Sequence, residues 1–176
     1  MSRPLFNRPR SSLVSIFNWL VIAIVLLAFA AVLAGRLGLL QGAAPSDLGV
    51  RGGRLKPPSM TENSVTSQAA LYPDHPQRRY ADIAPLPIKG DGPATLARIK
   101  AIVENTNGAK VVKSDPDYLY AQFTTKLMKF VDDVEFWFDP ANNVIQVRSA
   151  SRVGRGDFGV NRKRIEALRA ALAATN

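Results

Sequence analysis

The chain contains no cysteine at all. Disulfides, thiolate nucleophiles and cysteine metal sites are therefore excluded, and cysteine usage gives no reading of the redox compartment. Histidine is nearly absent as well. His75 is the single one, set between Asp74 and Pro76, with no second ligand at a metal-binding spacing. It reads as a solvated loop residue. Ser149 and Ser151 have no histidine near them in sequence to complete a nucleophile pair. Neither a metal nor a cofactor is expected. Acidic residues are in deficit, 14 against 23 Lys and Arg, for a net charge of +9. The excess is uneven: residues 1–56 carry seven basic residues and one acidic, whereas residues 57–176 carry sixteen and thirteen. Basic charge gathered around an apolar segment fits a membrane surface, and no nucleic-acid partner is expected.

That apolar segment is residues 13–34, which run 22 positions without a charge. As a helix the run would be about 33 Å long, enough for a bilayer's hydrocarbon core. Two readings stay open. An uncleaved anchor over residues 13–40 uses the whole run, which resumes beyond Arg36 to Leu40. A cleaved signal peptide would end at a small-residue site such as Ala28-Phe-Ala30. The short basic N-terminus, residues 1–12 with Arg3, Arg8 and Arg10, favours a cytoplasmic start and a soluble domain on the extracytoplasmic side of the cell membrane.

Residues 41–90 are dense in Pro and Gly, which argues against regular elements and for a linker whose second half lies over the domain as an extended arm, through Tyr72, Tyr80, Ile83, Leu86 and Ile88. Residues 91–176 then read as an α+β domain. Asp91 or Gly92 caps a helix with Pro93 in its first turn and Leu96, Ile99, Ile102 and Val103 on one face, ending before Asn107-Gly108. Residues 109–114 and 118–125 read as strands. A closing helix from about residue 160 to 173 presents Ile165, Leu168 and Leu172.

Between these lies a hairpin. Phe130, Asp132, Val134, Phe136 and Phe138 alternate with Val131, Asp133, Glu135 and Trp137, and 144–151 alternates likewise around the turn 140–143. Pairing Asp139 with Val144 sets Phe138 against Ile145, Phe136 against Val147 and Val134 against Ser149, and sets Glu135 across from Arg148. The expected fold is a transmembrane helix, then helix, four-stranded antiparallel meander and helix, with both helices on one face of the sheet.

Three motifs, FVDDVEF at 130–136, VRSASRVG at 147–154 and DFGVNRKR at 157–164, occur in an order that resembles the signature of domain-of-unknown-function family 1499. The resemblance covers roughly residues 55–172 and implies no established activity. Members occur in bacteria and in plastid-bearing organisms. They often carry cysteines near the domain start, where this chain has Ser64, so any thiol-based role does not transfer to it.

Two sets of residues are candidates for chemistry. Asp133 and Glu135 share a strand face and could serve as an acid/base pair or hard-metal ligands; Asp132 points the other way, where a buried carboxylate needs a partner such as Ser151, Arg152 or Arg162. Arg148, Arg152, Arg155, Arg162 and Arg164, with Asn161 at a helix start and Trp137 and Tyr120 nearby in the pattern, form a candidate site for an anionic lipid or a membrane-protein partner. The same arginines could instead close a charged network with Asp132, Asp133, Glu135 and Asp157. The favoured expectation is a membrane-anchored, non-enzymatic binding or assembly domain. The alternatives are a hydrolytic or metal-assisted enzyme using Asp133 and Glu135, and a carrier of a small apolar ligand between sheet and helices. Gly154, Gly156 and Gly159 match a G-x-G-x-x-G spacing but lack its strand–helix setting and read as loop glycines.

Overall fold

A computed structural model describes residues 11–175; residues 1–10 of the basic N-terminus lie outside them. Helix α1, Ser11–Arg36, carries the apolar run, and its span Ser12–Arg36 is long and apolar enough to cross a membrane, with a mean hydropathy of 2.8. It stops four residues short of the expected end, where Gly38 takes a φ of 80° and Leu39 N donates to Ala34 O at 3.0 Å.

The hairpin forms as the alternation requires. Strand β5 (Val131–Asp139) and strand β6 (Val144–Ser151) pair antiparallel, with Asp139 opposite Val144, Phe136 opposite Val147 and Glu135 opposite Arg148. Strand β4 (Tyr118–Thr124) pairs with the other edge of β5, and β3 (Ala109–Ser114) pairs with β4 through a bulge between Val111 and Lys113. Helix α3 (Gly92–Glu104) starts at Asp91, whose side chain accepts from Ala94 N at 2.6 Å, and helix α4 runs Val160–Ala174. Leu96, Ile99 and Val103 of α3 and Ile165, Leu168 and Leu172 of α4 close over Leu119, Phe123, Val134, Phe136, Ile145 and Val147. Both helices thus cover one sheet face, and all the strand pairings are antiparallel.

The sheet has six strands rather than four. Two short strands arise in the segment read as linker: β1 (Ser64–Thr66) and β2 (Leu86–Pro87), both paired antiparallel with the free edge of β6. A 3-10 turn at Ala69–Leu71 and a one-turn helix α2, Arg78–Ala81, separate them. Proline and glycine did not prevent this because each strand needs only two or three residues, and Pro87 sits at an outer position where its missing N–H costs no ladder bond. Ile83 and Leu86 are buried in the core, as expected of an arm.

The first half of that segment has a second task. Residues 43–60 cross the sheet face away from the helices, and Leu55 packs against Tyr118 and Trp137 there. The polar face is therefore buried beneath a strap that follows α1 directly in the chain.

Candidate functional site

Strand parity divides the charged residues between two faces. On the helix side, Asp132 pairs with Arg164, not with Arg152 or Arg162 as anticipated. The reason is geometric. Arg152 continues the parity of Arg148 and Ala150 and so belongs to the opposite face, while Arg164 lies one turn inside α4, with its guanidinium 4.8 Å from the centroid of the Phe123 ring. Arg164 Nη1 also donates to Ser149 Oγ at 2.9 Å and to Asn161 Oδ1 at 2.6 Å. Asn161 is fully buried; its Nδ2 donates to Asn63 O, Ser151 Oγ and Asp157 Oδ2 at 2.8–3.1 Å. Asp157 accepts from Tyr80 OH, from Gly159 N at 2.9 Å and from Asn161 N at 3.0 Å. Burial would raise the Asp157 carboxyl, but these donors outweigh it and hold it below the usual range, while burial and the adjoining carboxylate push the Tyr80 phenol up to about 12. Arg162 donates to Tyr80 O at 2.5 Å. Ser149 and Ser151 are thus network hydroxyls.

Under the strap the arrangement is looser. Arg152 grips Asp133 with two bonds, Nε to Oδ2 at 2.8 Å and Nη2 to Oδ1 at 2.7 Å, and Tyr120 OH donates to the same carboxylate. Glu135 has no exposed surface; its Oε1 accepts from Gly49 N and from Tyr118 OH, both at 2.7 Å, while its Oε2 has no hydrogen-bond partner among the described residues. Burial raises the Glu135 carboxyl above its ordinary range, against the pull of Gly49, Tyr118 and Arg148. Arg148 faces it across the strands, but Nη1 to Oε2 is 3.9 Å, beyond a hydrogen bond. Arg148 Nε donates to Pro57 O at 3.2 Å, and among the described residues neither Nη has an acceptor within reach.

Arg148 lines a cleft of about 390 Å³ between strap and sheet, with Lys56, Pro57, Ser59 and Met60 on one side and Asp133, Ser151 and Arg152 beside it on the other. The Arg148 side chain is 5% exposed, so its guanidinium is desolvated while remaining short of acceptors.

The eight residues expected to form one binding surface do not converge. Arg148, Arg152 and Tyr120 lie under the strap, Trp137 is buried against Leu55, Asn161, Arg162 and Arg164 lie on the helix side, and Arg155 is exposed on the loop before α4. Asp133 and Glu135 share a face, each already held by neighbours. Among the described residues no group of three or more His, Asp or Glu is placed to hold a metal ion. The His75 imidazole accepts from Gln77 N at 3.1 Å. Sequence reasoning missed Gly49, Lys56, Pro57 and Ser59. Their only signal was the Pro/Gly-rich composition that made the segment look unstructured.

Residues 54–172 match the family described as protein of unknown function DUF1499. The chain belongs to the DUF1499 family. The matched region begins inside the strap and takes in the whole sheet, so in this family member the short edge strands lie within the family's domain. No curated protein and no solved structure matches the chain.

Proposed function

We propose that this protein is a membrane-anchored binding domain that takes an anionic group in the cleft beside Arg148. The observation that carries the reading is the Arg148 guanidinium itself, buried at the cleft wall with both Nη groups lacking acceptors among the described residues. Lys56, which spends one donor on Asp47 at 2.7 Å, adds a second cation at the rim. Phosphate and carboxylate match this donor set. The cleft adjoins residues 43–45, a few positions after α1, so the anion has two sources: a phospholipid headgroup or a soluble metabolite.

Native mass spectrometry of the full-length protein, gently extracted from its membrane, tests this. The expected result is a small-molecule adduct, diminished in Lys56→Ala and Arg148→Gln and retained in Arg155→Ala. Competition by phosphatidylglycerol but not by inorganic phosphate assigns a headgroup, and the reverse a soluble anion. Adducts of whole proteins in place of small molecules make the domain an assembly subunit. A bare chain that takes up neither probe removes the reading.

A further inference from the structure

The end of the domain beside α1 is built unlike the rest. A side chain on Gly35, in the last turn of α1, would collide with Met128 O, and one on Gly42 would come within 2.8 Å of Arg152 Cβ and Val153 Cγ2. The helix exit is therefore wedged against two loops: the turn 125–130, between β4 and β5, and the loop 152–159 that leads into α4. The uncharged run of α1 ends at Gly35 and Arg36 follows. A hydrocarbon core about 30 Å thick, filled by that run, would have its surface level with Met128.

Both loops and the start of α4 carry exposed apolar side chains. Phe158 is 96% exposed, Leu127 58%, Val160 42% and Val153 40%. Phe158 is the one aromatic residue outside α1 that is exposed among the described residues. Its backbone sits at φ 52°, a left-handed conformation that is costly for a bulky residue. The surrounding structure enforces it, because Asp157 Oδ1 accepts from Gly159 N and Asp157 O from Val160 N at 3.0 Å, and Asp157 is tied in turn to Tyr80 and Asn161. A network that spends buried hydrogen bonds to hold a phenyl ring in water requires something to cover the ring. Behind Phe158 a mostly apolar cleft of about 300 Å³ runs between the loops, walled by Phe130, Val153 and Val160. Basic residues predominate around it: Lys126, Lys129 and Arg155 lie on the two loops and Arg36 ends the helix, against buried Asp132 and Asp157 and the exposed Glu62, whose backbone carbonyl accepts from Asp157 N at 3.0 Å.

We infer that this end of the domain is a docking face for the anionic bilayer in which α1 sits, with Phe158 and Leu127 entering the interfacial region and Lys126, Lys129 and Arg155 lying over headgroups. The inference rests on α1 spanning the bilayer. The occupant follows from continuity with the apolar helix and from complementary charge; single amphipathic contacts of this kind are weak alone and are held by the anchor.

The absence of cysteine makes the test direct, since one introduced thiol is the only labelling site. Full-length Phe158→Cys, Leu127→Cys, Ala141→Cys and Val25→Cys carry an environment-sensitive fluorophore in vesicles of equimolar phosphatidylcholine and phosphatidylglycerol. Ala141 lies in the turn at the far end of β5, about 27 Å away along a nine-residue strand. Labels at positions 25, 127 and 158 should shift to the blue and be quenched by spin-labelled lipid, and the label at 141 should be quenched by aqueous iodide. Replacing phosphatidylglycerol with phosphatidylcholine should weaken lipid quenching at 127 and 158 and leave position 25 unchanged. Leu127→Cys keeps Phe158 intact, so the outcome does not depend on the substituted ring. Aqueous labels at 127 and 158 with a lipid-buried label at 25 overturn the docking face alone. An aqueous label at 25 overturns the anchor with it.

Discussion

At the scale of single residues, two buried carboxylates three positions apart on β5, Asp132 and Glu135, have opposite fates. Asp132 meets a guanidinium at close range, and both side chains are nearly enclosed. Removing one partner of such a pair leaves a buried uncompensated charge, which costs about 3–5 kcal/mol. Arg164→Ala should therefore lower stability by about that amount, with the Asp132→Ala/Arg164→Ala double variant recovering part of the loss. Denaturant unfolding followed through Trp137 reads both; a double variant as unstable as the sum of the singles would show that the two side chains do not act together. Glu135 behaves differently because its Oε2 lacks a donor and burial raises its pKa. The folded protein then holds that proton to higher pH than the unfolded chain does. Stability from this group is fully present below the ordinary glutamate range, about 4.3, and declines as pH rises through the raised value. Asp157 and Asp139 act in the other sense. Burial would raise both, but Tyr80 and Asn161 in one case, and Gln146 and Asn142 in the other, hold them low. Their contribution is complete above about 3.9 and is lost as pH falls through the depressed values. The unfolding midpoint should peak at mildly acidic pH. Glu135→Gln should flatten the decline on the alkaline side and leave the acid limb in place; an unchanged alkaline slope would remove Glu135 as its cause.

At the scale of elements, the hairpin and the strap show what a sequence displays and what it hides. The register of β5 on β6 was readable because a slip of one residue would set Phe136 and Phe138 against Arg148 and Gln146, and because the four residues 140–143 supply the turn. The helices were readable from Asp91, Pro93 and a 3.6-residue stripe. Strands β1 and β2 were not, since three residues Ser-Val-Thr and two residues Leu-Pro carry no periodicity; what makes them strands is the unpaired edge of β6, far away in sequence. The candidate site was half legible for the same reason. Alternation set Glu135 opposite Arg148, but Gly49, which donates to Glu135, and Pro57, which accepts from Arg148 Nε, lie in a segment whose composition resembles a tether. If the strap is part of the folded domain, Leu55→Ala should cost about 2–5 kcal/mol, the range for a buried leucine, whereas a tether residue would cost almost nothing. The shift in unfolding midpoint decides this, and Trp137 fluorescence should move to the red as water reaches the ring.

At the scale of the whole molecule, an α1 that spans a bilayer would set the domain on one side of it. Basic residues flank the apolar run on both sides, Arg3, Arg8 and Arg10 before it and Arg36, Arg51, Arg54 and Lys56 after it. Only charges within about 15–20 residues of a span, in short unfolded flanks, weigh on its orientation. On the N-terminal side these are Arg3, Arg8 and Arg10; on the other they are Arg36 at the helix end and Arg51 at the limit of the window, with Arg54 and Lys56 at its edge or beyond. The folded arrangement sharpens the contrast, because Lys56 is neutralised by Asp47 at 2.7 Å and Arg54 lies 6.0 Å from the centre of the Tyr72 ring, both within the strap. The near-span balance favours a cytoplasmic N-terminus, and we propose that the domain lies on the extracytoplasmic side. A domain there would meet the outer surface of the bilayer with Phe158 and the basic loops. A phosphatase that folds only outside the cytoplasm, fused after Asn176, should be active, and a reporter that works only in the cytoplasm should be silent at the same position. Replacing Arg3, Arg8 and Arg10 with glutamine should raise the share of the opposite orientation, because Arg36 would then carry the largest nearby charge. An active cytoplasmic reporter on the unaltered chain would place the cleft and the docking face on the inner surface, where anionic headgroups are also available, and would leave the geometry of Arg148 unaffected.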